Sequence, residues 1–312
     1  MASDRRFRFG AQCSYAGSRE EWAAKALRLQ DLGYATLCVP DHFDDQLAPL
    51  PALTAAAAAT TTLRVGTLVL GNDFRHPLVT AKEAATVDVL SGGRFELGIG
   101  AGWMGSDYQQ SGIALDPPGV RIDRLEEALT VVKGLLAGGK FSFAGRYYTV
   151  TGHPGTPRPV QRPRPPILVG GGGRRILSLA GREADIVSVN FDLRSGSIGP
   201  QVGVTATAGA TAEKIRWIRE AAGDRFDDIE LSHTAYLTMV TDDREAVAGG
   251  LGTGFGLDAD QVLAMPNFAI GTVVEIADEL ERRRDALGFS YVIVGGECFD
   301  AMAPVVERLA GR

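Results

Sequence analysis

Three short stretches carry residue types from which a reaction could be built. "PDHF" sets the carboxylate of Asp41 beside the imidazole of His42. An imidazole titrates near neutral pH, so His42 is the leading candidate for proton transfer. Its competing role is that of a strand-end histidine satisfied by Asp41 or by a carbonyl. "ILVGGGGRR" halts an apolar run in Gly170, Gly171, Gly172 and Gly173 and restarts as a helix at Arg174. Bare backbone amides at a helix start attract phosphate; the alternative is glycine for tight strand-to-helix packing. "GIGAGW" places Gly100 and Ala101 ahead of the aromatic Trp103. Glycine-lined strand ends suit a large flat ligand lying against backbone.

Other chemistries find no support in the spacing. No G-x-S-x-G is present, and His42, His76, His153 and His233 fall in no H-E-x-x-H. Neither a nucleophile with its base nor a metal site is therefore expected. A dinucleotide fingerprint fails at its third glycine, where Arg175 stands, and at the acidic position of the next strand, where Asn190 stands. "YVIVGGE" offers a rival phosphate site at Gly295 and Gly296.

Bulk properties narrow the partners. The net charge of −6 argues against nucleic acid. Cys13, Cys38 and Cys298 are odd in number and far apart, which points to a reducing compartment without a disulfide framework. No apolar stretch reaches the roughly 18 residues of a membrane span, and the N-terminus lacks a signal-peptide core. A cytoplasmic protein that engages no membrane is expected. One local exception to the acidic balance runs from Ala128 to Arg182, with nine basic residues and no acidic one, including Arg158, Arg162, Arg164, Arg174 and Arg175.

The elements that must position these residues alternate short β-branched runs with longer amphipathic segments. Strands are expected at "FRFGAQC", "TLCVPDHF", "LRVGTLVLG", "FELGIGAGW", "ILVGG", "DIVSVNF", "IELSHTAYLTMV" and "YVIVGGE", each followed by a helix. "SREE" opens the first helix as a capping box, with Trp22, Ala26 and Leu29 on one face. Near-continuous apolar strands mark a buried parallel sheet. The expected class is α/β, a (β/α)8 TIM barrel of one domain over 1–312, with insertions after strands 4, 6 and 7. "FSFAGRYYTV" reads as an inserted hairpin. Residues 192–211 and 248–268 read as long glycine-rich loops, either lids or surface excursions.

Five motifs in order resemble the bacterial luciferase-like flavin and deazaflavin superfamily, most closely its actinobacterial branch using coenzyme F420. They are "PDHF", "GTLVLGNDFRHP", "LSGGRFELGIGAGW", "VGGGGRRILSLAGREADIV" and "IGTVVEIADELERRRDALGFSYVIV". The resemblance implies a cofactor ring lying over strand three on a non-proline cis peptide at Leu68–Val69, with Asp41, Gly100 and Ala101 around it. It implies the cofactor phosphate on Gly172 and Gly173, flanked by Gly171 and Arg174, with His42 close to the reactive ring carbon. A homodimer acting on a small molecule is also implied. One departure stands out: sugar-phosphate dehydrogenases of this superfamily carry an acidic residue where this chain has Trp103. A partner carboxylate for His42 is therefore expected to be missing, and Trp103 becomes a wall for a flat or apolar substrate.

The leading expectation is F420-dependent hydride transfer to or from a small organic substrate, such as reduction of a C=C or C=N bond. An FMN-dependent monooxygenase is the alternative, and a non-catalytic ligand-binding barrel the second. Both cofactors present a ribityl phosphate. Only the deazaflavin extends beyond it in lactate and glutamates, for which the basic residues from Arg158 to Arg175 are the expected contact.

Overall fold

The short apolar runs close into a barrel. The structure, a computed structural model, describes residues 5–197, 199–296 and 298–312. Its strands are β1 (Arg8–Gln12), β2 (Thr36–Val39), β3 (Arg64–Thr67, resumed at Leu70–Gly71), β4 (Phe95–Gly100), β5 (Ile167–Gly171), β6 (Ile186–Val189), β7 (Glu230–Ala235) and β8 (Phe289–Val294). Neighbours pair in parallel in chain order; β1 pairs with β8 and β3 with β4, so the sheet has no free edge. Every residue of β2 and β6 is buried, as strands covered on both faces require. This is the expected (β/α)8 barrel.

Its interior divides into three layers, of which two are filled. At the N-terminal ends of the strands, the Arg8 guanidinium lies 3.5 Å from the Tyr291 ring centroid, 2.7 Å from Glu96 and 2.7 Å from Glu230. Arg64 adds a second contact to Glu96, at 2.6 Å. Burial alone raises a carboxyl, yet Arg8 and Arg64 outweigh it and hold Glu96 below the usual carboxylate range. That contribution to stability is present above the unfolded carboxylate range and is lost as pH falls through the depressed folded value. Above this plug, Cys38, Leu168, Ile186, Tyr291 and Ile293 form a small apolar cluster. They come from β2, β5, β6 and β8, of which only β5 and β6 are neighbours in the sheet, so the cluster spans the barrel axis. The third layer, at the C-terminal ends, is left open.

The outer helices follow the sequence closely. In helix Arg19–Asp31 the buried residues are Trp22, Ala26 and Leu29. The Ser18 hydroxyl accepts from the Glu21 amide, while the Glu21 carboxylate accepts from Gly17, one residue before the capping-box position. Phe141–Ala144 and Thr149–His153 pair antiparallel as the inserted hairpin.

Two expectations need correction. "IELSHTAYLTMV" is not one strand: after β7, Leu237–Val240 leaves the barrel and pairs in parallel with Phe268–Gly271. Residues 248–268 are not an open loop, since helices Arg244–Phe255 and Ala259–Leu263 occupy most of them. Side-chain caps from Asp243 and Asp258 start these helices, and Ala248, Val262, Met265 and Phe268 bury themselves in a satellite core. Tertiary burial there overrides the poor helix propensity of glycine.

The open end depends on a close approach between β3 and β4. The Thr67 hydroxyl donates to the Gly98 carbonyl at 2.7 Å and accepts from the Gly98 amide at 2.8 Å. A Cβ on Gly98 would sit inside the Thr67 carbonyl oxygen. Gly98→Ala is therefore expected to destabilise the protein by about 2–3 kcal/mol, seen as a lower urea midpoint at unchanged slope. Gly209→Ala, where an added Cβ meets nothing within 4 Å, is expected to be neutral or stabilising by up to about 1 kcal/mol. Matching midpoints for the two variants would show that this approach is not rigid.

Candidate active site

The open layer is a cavity of about 760 Å³ at the C-terminal ends of the strands. Its floor is main chain. The Leu68–Val69 peptide is cis, as the resemblance implies, and interrupts β3. The Leu68 amide donates to the Val39 carbonyl, tying the interruption to β2. A Cβ on Gly100 would stand 2.7 Å from Val69 Cγ2, so only glycine lets that side chain settle over β4. The result is a shelf formed by Leu68, Val69, Gly100 and Ala101, all of which line the cavity.

Asp41 and His42 share the end of β2 but not a hydrogen bond. Asp41 accepts from the Gly71 amide at 3.0 Å and from both terminal nitrogens of Arg75, at 2.5 and 3.1 Å. It is buried and fastens β2 to the turn after β3. His42 Nδ1 lies 2.7 Å from Asp107 Oδ2, and Asp107 Oδ1 accepts from the Phe43 amide at 3.3 Å. The expectation that His42 lacks a partner carboxylate is thus overturned. Trp103 does occupy the position after the glycines, edge-on to His42 at 5.8 Å. The carboxylate arrives four residues later, on helix Gly105–Ser111, with its side chain 5% exposed. The signal was an acidic residue in the first turn of a short helix directly after a strand end.

The other histidines are structural. His76 Nδ1 accepts from the Leu78 amide as a helix cap, and His153 Nδ1 accepts from the Gly155 amide. His233 is wholly buried against Phe289; burial, helped by the Arg283 charge, pushes it down to about 3 and keeps it neutral.

At the far end of the shelf, β5 runs into Gly171, Gly172 and Gly173, and helix Arg174–Glu183 begins. Gly173 is the N-cap and no side chain caps the first turn, whose residues Gly172, Gly173 and Arg174 line the cavity. Gly172 is required by space, since a Cβ there would overlap the Phe191 carbonyl. Beside the glycines stands Asp192, paired with Arg194, whose hydrogen bond holds the carboxyl below its usual range. Behind β6, the buried Lys214 donates to the Asn190 carbonyl at 2.6 Å; burial pushes its ammonium down to about 8, against the attraction of Asp192. Asn190 Nδ2 in turn donates to the Tyr236 hydroxyl at 2.7 Å. Sequence reasoning missed this chain of contacts. The rival glycines Gly295 and Gly296 pack on the Tyr236 backbone and do not line the cavity.

The basic stretch divides between the two ends of the barrel. Arg164 pairs with Asp185, just ahead of β6, and Arg162 donates to the Pro159 carbonyl. Arg158 packs on Gly138, beyond the C-terminus of helix Pro118–Leu136. All three lie at the N-terminal ends of the strands, away from the glycines. Arg174 and Arg175 alone of the five line the cavity.

Similar proteins share this frame. The FMNH2-dependent dimethylsulfone monooxygenase of Pseudomonas putida is 29% identical over 173 residues, covering 55% of this chain and 47% of that protein. The F420-dependent glucose-6-phosphate dehydrogenase of Microbacterium testaceum is 34% identical over 193 residues, covering 57% and 55%. The chain thus spans about half the length of these first curated relatives. The corresponding dehydrogenase of Amycolatopsis mediterranei is 26% identical over 313 residues, covering 95% and 88%. In fold, the coenzyme F420-dependent tetrahydromethanopterin reductase of Methanopyrus kandleri superposes with a TM-score of 0.79 at 21% identity, covering 98% of this chain and 99% of that one. The sequence model described as luciferase-like monooxygenase matches residues 6–251, well over half of the chain. With a closed parallel barrel, a cis peptide in β3 and a glycine turn after β5, the chain belongs to the luciferase-like monooxygenase family.

Proposed function

We propose that the protein is an F420-dependent oxidoreductase acting on a small organic substrate, in the direction of C=C or C=N reduction. The observation that carries this reading is the His42–Asp107 pair beside a shelf of bare backbone. The residues present fit the cofactor: a flat ring can lie on Leu68, Val69, Gly100 and Ala101, and a phosphate can take the uncapped amides at Gly172, Gly173 and Arg174. Gly171 gives Ile176, in the first turn of the phosphate helix, room to pack against β5, and Asp41 acts at one remove by fixing the turn under the ring. When bound and reduced, the deazaflavin supplies hydride.

The chain's own residues supply the proton and the walls. Asp107 holds the Nδ1–H tautomer of His42, which leaves Nε2 to exchange a proton with substrate. Trp103 bounds the substrate side, and an apolar flat compound stacks there better than a phosphorylated sugar. The ion-paired N-terminal end closes the barrel, so ligands enter from the loop end alone. No helix of the described residues is long and apolar enough to cross a membrane. With the net charge of −6, that supports a small-molecule enzyme of the cytoplasm, and the family resemblance supports a homodimer.

The FMN reading keeps the same shelf and cradle and is favoured by the similarity to the dimethylsulfone monooxygenase. A non-catalytic barrel is disfavoured, because a satisfied histidine–carboxylate pair faces an open cavity.

Anaerobic titration of the purified protein with the deazaflavin and, separately, with FMN separates these readings. We expect deazaflavin binding at least about tenfold tighter than FMN, a difference of about 1.4 kcal/mol. Preference for FMN would move the protein to the monooxygenases, and binding of neither would leave the silent barrel. His42→Asn is expected to keep cofactor affinity and slow the chemical step by about 10²-fold or more. Asp107→Asn is expected to release the tautomer, read as a mixed Nδ1–H and Nε2–H population in the 15N spectrum of His42. An unchanged spectrum would remove Asp107 from this role.

A further inference from the structure

In a closed ring of eight strands, β6 stands opposite β2 and β7 opposite β3. The residues that directly follow β6 and β7, Asn190 and Tyr236, therefore stand across from His42 and the Leu68–Val69 shelf, in the cavity that all of them line. The lining around them is aromatic. Phe191 stacks on Tyr236 with ring centroids 5.8 Å apart, and Phe255 and Phe268, from the satellite core, continue the wall. The hydrogen bonds at this wall have one direction. Asn190 Oδ1 accepts from the Phe191 amide at 2.7 Å, which turns the Asn190 Nδ2 group to the Tyr236 hydroxyl, 2.7 Å away. The Tyr236 oxygen is thus an acceptor, and its own proton is not spent on Asn190. Lys214 holds the Asn190 carbonyl from behind at 2.6 Å. Burial raises the Tyr236 phenol, while hydrogen bonds from Asn190 and Thr234 draw it back; the net is upward, so the group keeps its proton at neutral pH.

We propose that the Tyr236 hydroxyl, oriented by Asn190, donates to a carbonyl oxygen of the substrate, and that the bond reduced is the C=C of an α,β-unsaturated ketone or aldehyde with a flat apolar substituent. The inference rests on the deazaflavin reading above and chooses between its two bonds. An isolated C=C is too electron-rich to take hydride, whereas conjugation to a carbonyl makes the far carbon electrophilic. Hydride arriving there forms one C–H bond and moves the π electrons onto the carbonyl oxygen. A preorganised O–H stabilises that charge as it develops. The α carbon then takes the Nε2 proton of charged His42 and the carbonyl re-forms. His42 returns to the Nδ1–H tautomer that Asp107 holds. The net change is one hydride, drawn from the reduced cofactor, and one proton. A C=N substrate takes hydride at carbon and the His42 proton at nitrogen, which leaves Tyr236 without a task. The three phenylalanines give a conjugated substituent an apolar bed.

The test uses two probes of one carbon skeleton, 4-phenylbut-3-en-2-one and the hydrocarbon 1-phenylbut-1-ene. Each is bound without turnover to the full chain carrying oxidised deazaflavin. Tyr236→Phe is expected to weaken the ketone about fivefold, the worth of one neutral hydrogen bond, and to leave hydrocarbon and deazaflavin affinity unchanged. With the ketone labelled by 13C at its carbonyl, isotope-edited infrared spectra are expected to show the C=O band at lower wavenumber in the wild type than in Tyr236→Phe. A band at the same position in both proteins overturns the Tyr236 assignment while leaving the deazaflavin reading intact. So does equal weakening of the two probes, or failure of the ketone to bind. Failure of the deazaflavin itself to bind where FMN binds overturns this inference and the cofactor reading together.

Discussion

The working end of this barrel depends on strands that touch through main chain. One hydroxyl, that of Thr67, bonds both the amide and the carbonyl of Gly98. It locks β3 to β4 one residue before the cis peptide, so the position of the shelf is inherited from that clamp. Gly172 against the Phe191 carbonyl does the same for β5 and β6 and thereby aims the first turn of the following helix. A side chain at either glycine would move two strands, not one rotamer. A ligand surface built this way has little rotamer freedom to lose when it is filled, which is the physical content of preorganisation.

Such a surface contributes little apolar burial, and the fold makes up the difference elsewhere. The interior carries an apolar band from four strands, and the helices bury a continuous shell against the outside of the sheet. At the opposite end, charge closes the barrel. Arg8 is largely withdrawn from solvent at a cost that Glu96, Glu230 and Tyr291 offset together, and removing either acid would leave that cost only partly offset. The closed end and the open end are thus complementary. Ion-paired groups fill the closed end, while the uncapped first turn of one helix lines the open cavity.

Legibility in the sequence follows the range of the interaction. The strands, apart from the run of β7 into Leu237–Val240, the face of Trp22, Ala26 and Leu29, the glycine turn and the hairpin are local patterns, and they read correctly. The cis Leu68–Val69 bond came from family resemblance, because no local pattern announces it. Asp107 was missed for a physical reason: its pairing with His42 crosses 65 residues and depends on how a seven-residue helix is tilted. The arginines between Arg158 and Arg175 looked like one strip because they are near in sequence. The strand β5 that separates them carries its two ends to opposite faces of the barrel. Residues 248–268 were misjudged because glycine content counts against a helix, whereas two aspartate caps and a private apolar core count for it.

Proton balance gives the most direct link from this geometry to chemistry. Each hydride delivered to a C=C or C=N bond must be matched by one proton. Of the carboxyl and imidazole groups that line the cavity, Asp41 is committed to Arg75 and Gly71, Asp192 to Arg194, and Asp107 to His42 and Phe43. His42 is left with one ring nitrogen not taken by Asp107, and it lines the same cavity as the shelf, edge-on to Trp103. A site designed only to hold a ligand has no need to fix an imidazole tautomer with a buried carboxylate. The proposed reading therefore assigns the pair to turnover rather than to binding, with the proton-accepting atom of the substrate on the Trp103 side of the shelf.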